Sequence, residues 1–133
     1  MSEKSLVLIK PDAVERHLIG SIIHEYERND LTVEQLKLIQ ADEEVAKEHY
    51  AEHEDKPFFD ELVEFITRSP IVAMVISGEE AISRVRAING ATRPEEAVPN
   101  TIRAVYALSM SENSVHASDS PESAEREISI WFD

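Results

Sequence analysis

The chain contains no cysteine. That excludes a disulfide framework and any thiolate nucleophile, and leaves histidine and carboxylate as possible metal ligands. No run of residues approaches the roughly 18 consecutive apolar positions a membrane-spanning helix needs. The opening residues, Met1-Ser2-Glu3-Lys4, lead straight into a short apolar segment without a charged leader, hydrophobic stretch and cleavage site, so a cytoplasmic location is expected. Positive charge is also short: 13 Lys and Arg stand against 27 Asp and Glu, a formal net charge of -14. A surface this acidic repels nucleic acid and anionic lipid at long range, and neither is expected as a partner. It favours solubility and suits a salt-rich medium.

What is present fits one domain spanning residues 1–133, since 42% of the 133 residues are apolar and no repeat, linker or low-complexity segment breaks the chain. Leu6-Val7-Leu8-Ile9 reads as a buried strand stopped by Lys10-Pro11. Ile19, Ile22, Ile23 and Tyr26 recur at helical spacing. Residues 31–39 read as a second strand with Leu31, Val33, Leu36 and Leu38 as its apolar set, and the alternation slips near Gln35, where a bulge is expected. Helices follow over residues 43–53 and 58–67, the latter with Phe59, Leu62, Val63 and Ile66 turned inward. Residues 71–76 are the clearest strand. A helix introduced by Gly78-Glu79-Glu80 carries Ile82, Val85 and Ile88 on one side. A long loop over residues 89–101 precedes a fourth strand, expected over residues 102–109, and a polar stretch over residues 111–120. Ser120-Pro121-Glu122 is a strong helix start, with a capping hydroxyl, proline at the first position and an acid in the first turn. The order β-α-β-α-α-β-α-β-α is compatible with a parallel or a mixed sheet. It also fits a split βαββαβ arrangement in which the helices between the second and third strands are an insertion.

Chemistry concentrates around Asn113-Ser114-Val115-His116-Ala117-Ser118-Asp119-Ser120. Small neighbours leave the His116 ring accessible, and the following helix start offers backbone N–H groups that suit phosphate. Neutral imidazole is nucleophilic near neutral pH. Its second nitrogen needs a partner, for which Glu127 is a candidate. In isolation, such a histidine would be read as an ordinary surface-loop residue. His49 and His53, four apart on the expected helix, have a spacing that can bind metal, but no third ligand is fixed and zinc is not expected. Glu43-Glu44, Glu79-Glu80 and Glu95-Glu96 read as solvated faces.

Asn113-x-x-His116-x-Ser118-Asp119-Ser120 resembles the signature of the nucleoside diphosphate kinase family. Further segments fall in the family's order: Ile9-Lys10-Pro11-Asp12, His49-Tyr50-Ala51-Glu52-His53, Lys56-Pro57-Phe58-Phe59, Ser69-Pro70-Ile71-Val72, Gly90-Ala91-Thr92 and Thr101-Ile102-Arg103. The resemblance covers almost the whole chain. It implies an α+β, ferredoxin-like βαββαβ sandwich, its four-stranded antiparallel sheet covered by helices. It also implies transfer of a γ-phosphoryl group from a nucleoside triphosphate, mainly ATP, to a nucleoside diphosphate, by a ping-pong route with Mg2+ on the nucleotide phosphates. Carried over residue by residue, it makes His116 the phosphoryl carrier, Glu127 the holder of the other ring nitrogen and Ser118 the support of that pair. Lys10, Tyr50, Arg86, Thr92, Arg103 and Asn113 would surround the phosphates and sugar, and Phe58 would stack on the base. His53 would approach a phosphate. A homo-oligomer is implied, hexamer before tetramer, with residues 89–101 at the trimer contacts.

The roles have their own physical sense. Lysine and arginine neutralise phosphate, arginine with a bidentate fork. A stacked phenyl ring accepts any base, because every base has a π-face. Against a net charge of -14 the phosphate site must be locally basic, and Mg2+ on the nucleotide would ease the conflict. Several positions depart from the family pattern: Ala117, Asn100 and Ala104 stand where glycine is common, Val105 where aspartate is common, and Arg68-Ser69 where Ser-Gly is common. Only three glycines remain in the chain, in keeping with these replacements. Ala117 and Val105 would suit a nucleotide-binding relative without turnover. A ligand-free interaction module would not need basic residues spread over distant segments to coincide at a phosphate site.

Overall fold

The computed structural model describes residues 2–109 and 112–132. Met1, Ser111 and Asp133, which entered the sequence reading, lie outside them. In chain order the elements are β1 (Ser2–Ile9), α1 (Pro11–Glu15), α2 (Ile19–Glu27), β2 (Thr32–Ile39), α3 (Glu43–His49), a 3-10 turn (Ala51–His53), α4 (Phe59–Thr67), β3 (Ile71–Glu79), α5 (Ala81–Asn89), a second 3-10 turn (Pro94–Glu96), α6 (Ile102–Tyr106), β4 (Val115–Ala117) and α7 (Pro121–Phe132). The strands form one antiparallel sheet in the order β2-β3-β1-β4, the ferredoxin-like arrangement.

Both faces of this sheet are covered, which is why β1 and β3 read as continuous apolar runs and not as an alternating pattern. On one face Val7, Ile9, Val72, Met74 and Ile76 pack with Ile22 and Tyr26 of α2 and Val85 of α5. On the other, Leu6, Leu8, Ile71 and Ala73 pack with Ala46 of α3, Val63 and Ile66 of α4 and Trp131 of α7. Each fully buried Leu, Ile or Val contributes about 1.5–3 kcal/mol of transfer free energy, so these layers hold the sheet rigid beneath whatever it carries. Helix starts are set locally. The Val45 amide donates to the Asp42 carboxylate at 2.8 Å, and the Ser123 amide donates to the Ser120 hydroxyl at 3.1 Å, with Pro121 opening α7.

Three expectations are corrected. Residues 102–109 do not form a strand: Ile102–Tyr106 is the short helix α6, started by the Thr101 hydroxyl, which accepts from the Ala104 amide at 3.4 Å. Ile102 and Tyr106, four apart, both pack on the first core, which is helical spacing. The fourth strand is Val115–Ala117 instead, inside the stretch read as polar loop. The helix expected over residues 43–53 stops at His49 and passes into a 3-10 turn, so His49 and His53 do not share a helix face. The bulge expected near Gln35 is present between Val33 and Gln35. Leu36 and Leu38, however, are 50% and 59% exposed. They pair with Met74 and Val72 and so share the α2 and α5 face, but on an edge strand beyond the cover of those helices.

Candidate active site

Pleating decides which way each reacting side chain points. Leu6 and Leu8 face the layer of α3, α4 and α7, while Val7 and Ile9 face the opposite side. β4 pairs Ala117 with Val7, His116 with Leu8 and Val115 with Ile9. Opposed residues lie on the same face. His116 therefore projects with Leu8 toward α3 and α7, and Lys10, one step past Ile9, leaves the strand with the same parity. The Lys10 amide donates to the Ser114 carbonyl at 2.8 Å, extending the β1–β4 pairing by one bond. Ser114 is held at φ 75, a left-handed backbone that turns the chain into β4.

His116 Nε2 lies 3.1 Å from Glu127 Oε1. The Ser118 hydroxyl donates to that same oxygen at 2.8 Å and accepts from the Leu6 amide at 3.0 Å. Ser118 and Glu127 are buried, and His116 is half-buried. A neutral imidazole that presents Nε2–H to a carboxylate keeps its lone pair on Nδ1. His116 lines a cleft of about 850 Å³ together with Lys10, Tyr50, Phe58, Thr92 and Asn113, a volume within the ordinary range of small-molecule sites. Phe58 is 42% exposed in this cleft, whereas Phe59 packs on the second core, so the adjacent rings divide between site and interior.

Lys10 is buried, and its ammonium donates to Asn113 Oδ1 at 3.1 Å. Burial, reinforced by the Arg103 charge and opposed by Asp12, lowers its pKa to about 8. Burial also pushes the Asp12 carboxyl up, against the pull of Lys10 and of the Ser114 hydroxyl, which donates to it at 3.3 Å. The Tyr50 hydroxyl is buried and has no hydrogen-bond partner among the described residues. Burial and the nearby Glu127 raise its pKa, so it stays a donor.

Arg86, Thr92 and Arg103 line an adjoining cleft of about 620 Å³ with Gly90 and Ala117, and Thr92 borders both clefts. The expected residues thus fall into a histidine-side group and an arginine-side group that meet at Thr92. Arg103 donates to the Gly90 and Val115 carbonyls at 2.7 and 2.8 Å. Its buried Nε has no partner among the described residues, and burial lowers its pKa. Val105, in the position where an acid was expected, is exposed. Arg86 is exposed on α5, while Arg84 is tied to the Glu79 and Asn29 carbonyls, so only Arg86 of the two faces a cleft. Ala117 lies within β4 and is not among the residues with positive φ, so its methyl group meets no backbone penalty. Asn100 takes φ 74, a conformation asparagine tolerates better than most side chains. Gly90 has φ 89, and a Cβ there would collide with the Thr101 hydroxyl.

Several residues of this neighbourhood were not assigned roles from sequence. Asp12 stood in a quoted motif without a function, and Ser114 was passed over as a loop residue. His49 stood in a quoted motif and in a histidine pair with metal-binding spacing, without a role at His116. Nothing in spacing signals that α3 and α7 bring His49 and Trp131 behind His116.

Among the described residues no helix is long and apolar enough to cross a membrane. A carboxylate-braced histidine beside a buried lysine, on an antiparallel sheet with a cleft of about 850 Å³, fits a phosphotransferase site. Known proteins agree. Residues 3–133 match the nucleoside diphosphate kinase family. The chain is 58% identical to the nucleoside diphosphate kinase of Clostridium perfringens, over 98% of this chain and 91% of that protein. It is likewise 58% identical to that of Corynebacterium diphtheriae, over 99% and 98%. Its fold superposes on the Aquifex aeolicus nucleoside diphosphate kinase with a TM-score of 0.97 at 43% identity, covering 100% of this chain and 96% of that one. The halophilic nucleoside diphosphate kinase of Halobacterium salinarum, solved in complex with CDP, superposes with a TM-score of 0.96 at 47% identity, over 100% and 89%. The chain belongs to the nucleoside diphosphate kinase family. Its activity is phosphoryl transfer between nucleoside triphosphates and diphosphates.

Proposed function

We propose that this transfer, mainly from ATP, runs through a phosphohistidine on His116. The observation that carries the reading is the Glu127 carboxylate 3.1 Å from His116 Nε2, itself held by Ser118. The Nδ1 lone pair forms the N–P bond as the bond from the γ-phosphorus to its bridging oxygen breaks, and the electron pair leaves on the nucleoside diphosphate. Positive charge developing on the imidazole is balanced by Glu127, which keeps the proton on Nε2. A second nucleoside diphosphate then attacks the phosphoryl group, and the lone pair returns to Nδ1. Lys10, Arg86, Thr92, Arg103 and Asn113 hold the phosphates and sugar, with the Tyr50 hydroxyl as a donor beside them. Positioning and charge stabilisation are the main demands of this chemistry.

Mg2+ enters as part of the substrate, bound to the nucleotide phosphates, and supplies charge neutralisation there. Lys10, Tyr50, Thr92 and Asn113 line the cleft with His116 and suit phosphate, and the nearby carboxylate of Glu127 is occupied by His116 and Ser118; Glu61, Glu64 and Glu112 line the same cleft. Phe58 stacks on the base. Phe58→Ala should raise KM for nucleoside diphosphates about tenfold with little change in kcat, since stacking is worth roughly 1–3 kcal/mol per base. A fall in kcat at constant KM would remove Phe58 from the base site. Varying ATP and a nucleoside diphosphate together should give parallel double-reciprocal lines, the signature of two half-reactions on one site. Intersecting lines would mean direct transfer in a ternary complex.

The reading includes one domain over residues 1–133, a cytoplasmic location and a homo-oligomer, a hexamer before a tetramer. Support for self-association comes from Leu36 and Leu38 exposed on an edge strand, and from Val98, 69% exposed in the 89–101 segment assigned to the trimer contacts.

A further inference from the structure

Behind His116 lies a buried histidine that the transfer just described does not use. His49, the last residue of α3, is only 4% exposed. Its ring meets the His116 ring edge-on, with centroids 4.6 Å apart and planes at 79°. It meets Trp131 in the same manner at 5.5 Å. The Trp131 indole N–H donates to His49 Nδ1 at 3.1 Å.

An indole nitrogen can only donate, so His49 Nδ1 must accept, and the proton of the neutral ring sits on Nε2. The titratable and charged groups around it are His116 from β4, Lys10 past β1, Tyr50 at the end of α3 with its ring 4.8 Å away, His53 from the 3-10 turn, and Arg126 and Glu127 from α7. Burial is the largest influence, and His116 and the surrounding cations add to it, so the ring is held neutral well below the ordinary histidine range.

One nitrogen each from His49 and His116 and a Glu127 oxygen lie within 4.8 Å of one another, which raises the question of a metal ion. The Trp131 bond opposes it. Binding through Nε2 would drive the proton to Nδ1, where it would face the indole N–H, donor against donor. Binding through Nδ1 would displace the indole.

We propose that His49 is a positioning residue for His116. Its ring edge, oriented by Trp131, limits rotation of the His116 imidazole, so that Nε2 stays on Glu127 and Nδ1 stays available to the cleft. The role rests on the phosphohistidine reading and adds to it a brace formed by α3 and α7. A neutral ring is required, because a second imidazolium at this distance would oppose the positive charge that develops on His116 during transfer.

The test compares His49→Asn, His49→Phe and Trp131→Phe with the unaltered enzyme, each at full length. Readouts are single-turnover phosphorylation by ATP, steady-state kcat and KM, and melting temperature. His49→Asn still offers Trp131 an acceptor but removes the ring edge, and should lower the phosphorylation rate roughly 10–100-fold with KM within about twofold. His49→Phe restores a neutral ring edge and should return the rate to within a few-fold of the parent. Trp131→Phe releases the tautomer, and its rate should fall more steeply toward acid pH than the parent's. An unimpaired rate in His49→Asn would overturn the proposal. So would rates that follow melting temperature with no rescue by His49→Phe. Should the His49 variants fail to fold, an unchanged pH profile in Trp131→Phe overturns it alone. Absence of phosphate on His116 in the parent enzyme would instead indict the phosphohistidine reading, which keeps the two failures distinct.

Discussion

His116→Ala should lower phosphoryl transfer by about 10⁴-fold or more while nucleoside diphosphate affinity stays within a few-fold, because the change removes the atom that forms the N–P bond and leaves the rest of the cleft in place. The side chain is half-buried at the centre of a three-residue edge strand, and its neighbours Val115 and Ala117 face the opposite side of the sheet. Truncating it therefore leaves the two cores intact. Melting temperature and equilibrium binding of a nucleoside diphosphate, measured beside the transfer rate, separate lost chemistry from lost fold. Transfer at the parental rate in His116→Ala would remove histidine from the mechanism and leave the cleft as a site for direct transfer between nucleotides.

Lys10→Met should cost about 100–1000-fold in kcat/KM, the range found when one preorganised charge or donor is taken from a developing anionic centre. Lys10 is suited to this role because it is buried and close to Asn113, with no water shell to weaken its field. Burial also depresses its pKa to about 8. The sign follows directly: below pH 8 the ammonium is charged and attracts phosphate, and as the pH rises through 8 the charge is lost. In the parent enzyme kcat/KM should decline along a limb near pH 8. The corresponding limb in kcat should lie at higher pH, because bound phosphate favours the charged form. Lys10→Met should lack the limb. A parental pH profile in Lys10→Met, or a loss of less than about threefold, would show that the phosphates are held elsewhere.

Much of this fold was legible before any coordinates. The apolar runs of β1 and β3, the Ser120-Pro121 start of α7 and the slip at Gln35 are local signals, and each is matched by an observed element. The fourth strand was misplaced for a physical reason. Val115–Ala117 is too short and too polar in its surroundings to show a pattern, and it is a strand only because β1 offers it partners. Ile102 and Tyr106 did carry helical spacing, but five residues are few to distinguish a helix from an alternating run. Leu36 and Leu38 belong to the apolar set of β2 yet are exposed, and nothing in β2 itself reveals where a neighbouring helix ends.

For the site, the resemblance located residues that spacing alone could not unite: Lys10, Tyr50, Phe58, Thr92, Asn113 and His116 come from distant segments to border one cleft. The arginine-side cleft, the Arg103 Nε without a partner among the described residues and the Trp131–His49 contact depend on packing between layers and had no local signature. Ala117, which seemed to weaken the case for catalysis, is an ordinary strand residue.

The most direct test follows the phosphoryl group. The pure protein is incubated with Mg2+ and γ-labelled ATP, stripped of nucleotide, and then given a nucleoside diphosphate. Label that is acid-labile and alkali-stable, resides on His116 and moves to the added acceptor is the expected result. Protein that binds nucleotide but takes up no label, or carries it on another residue, would refute transfer through His116.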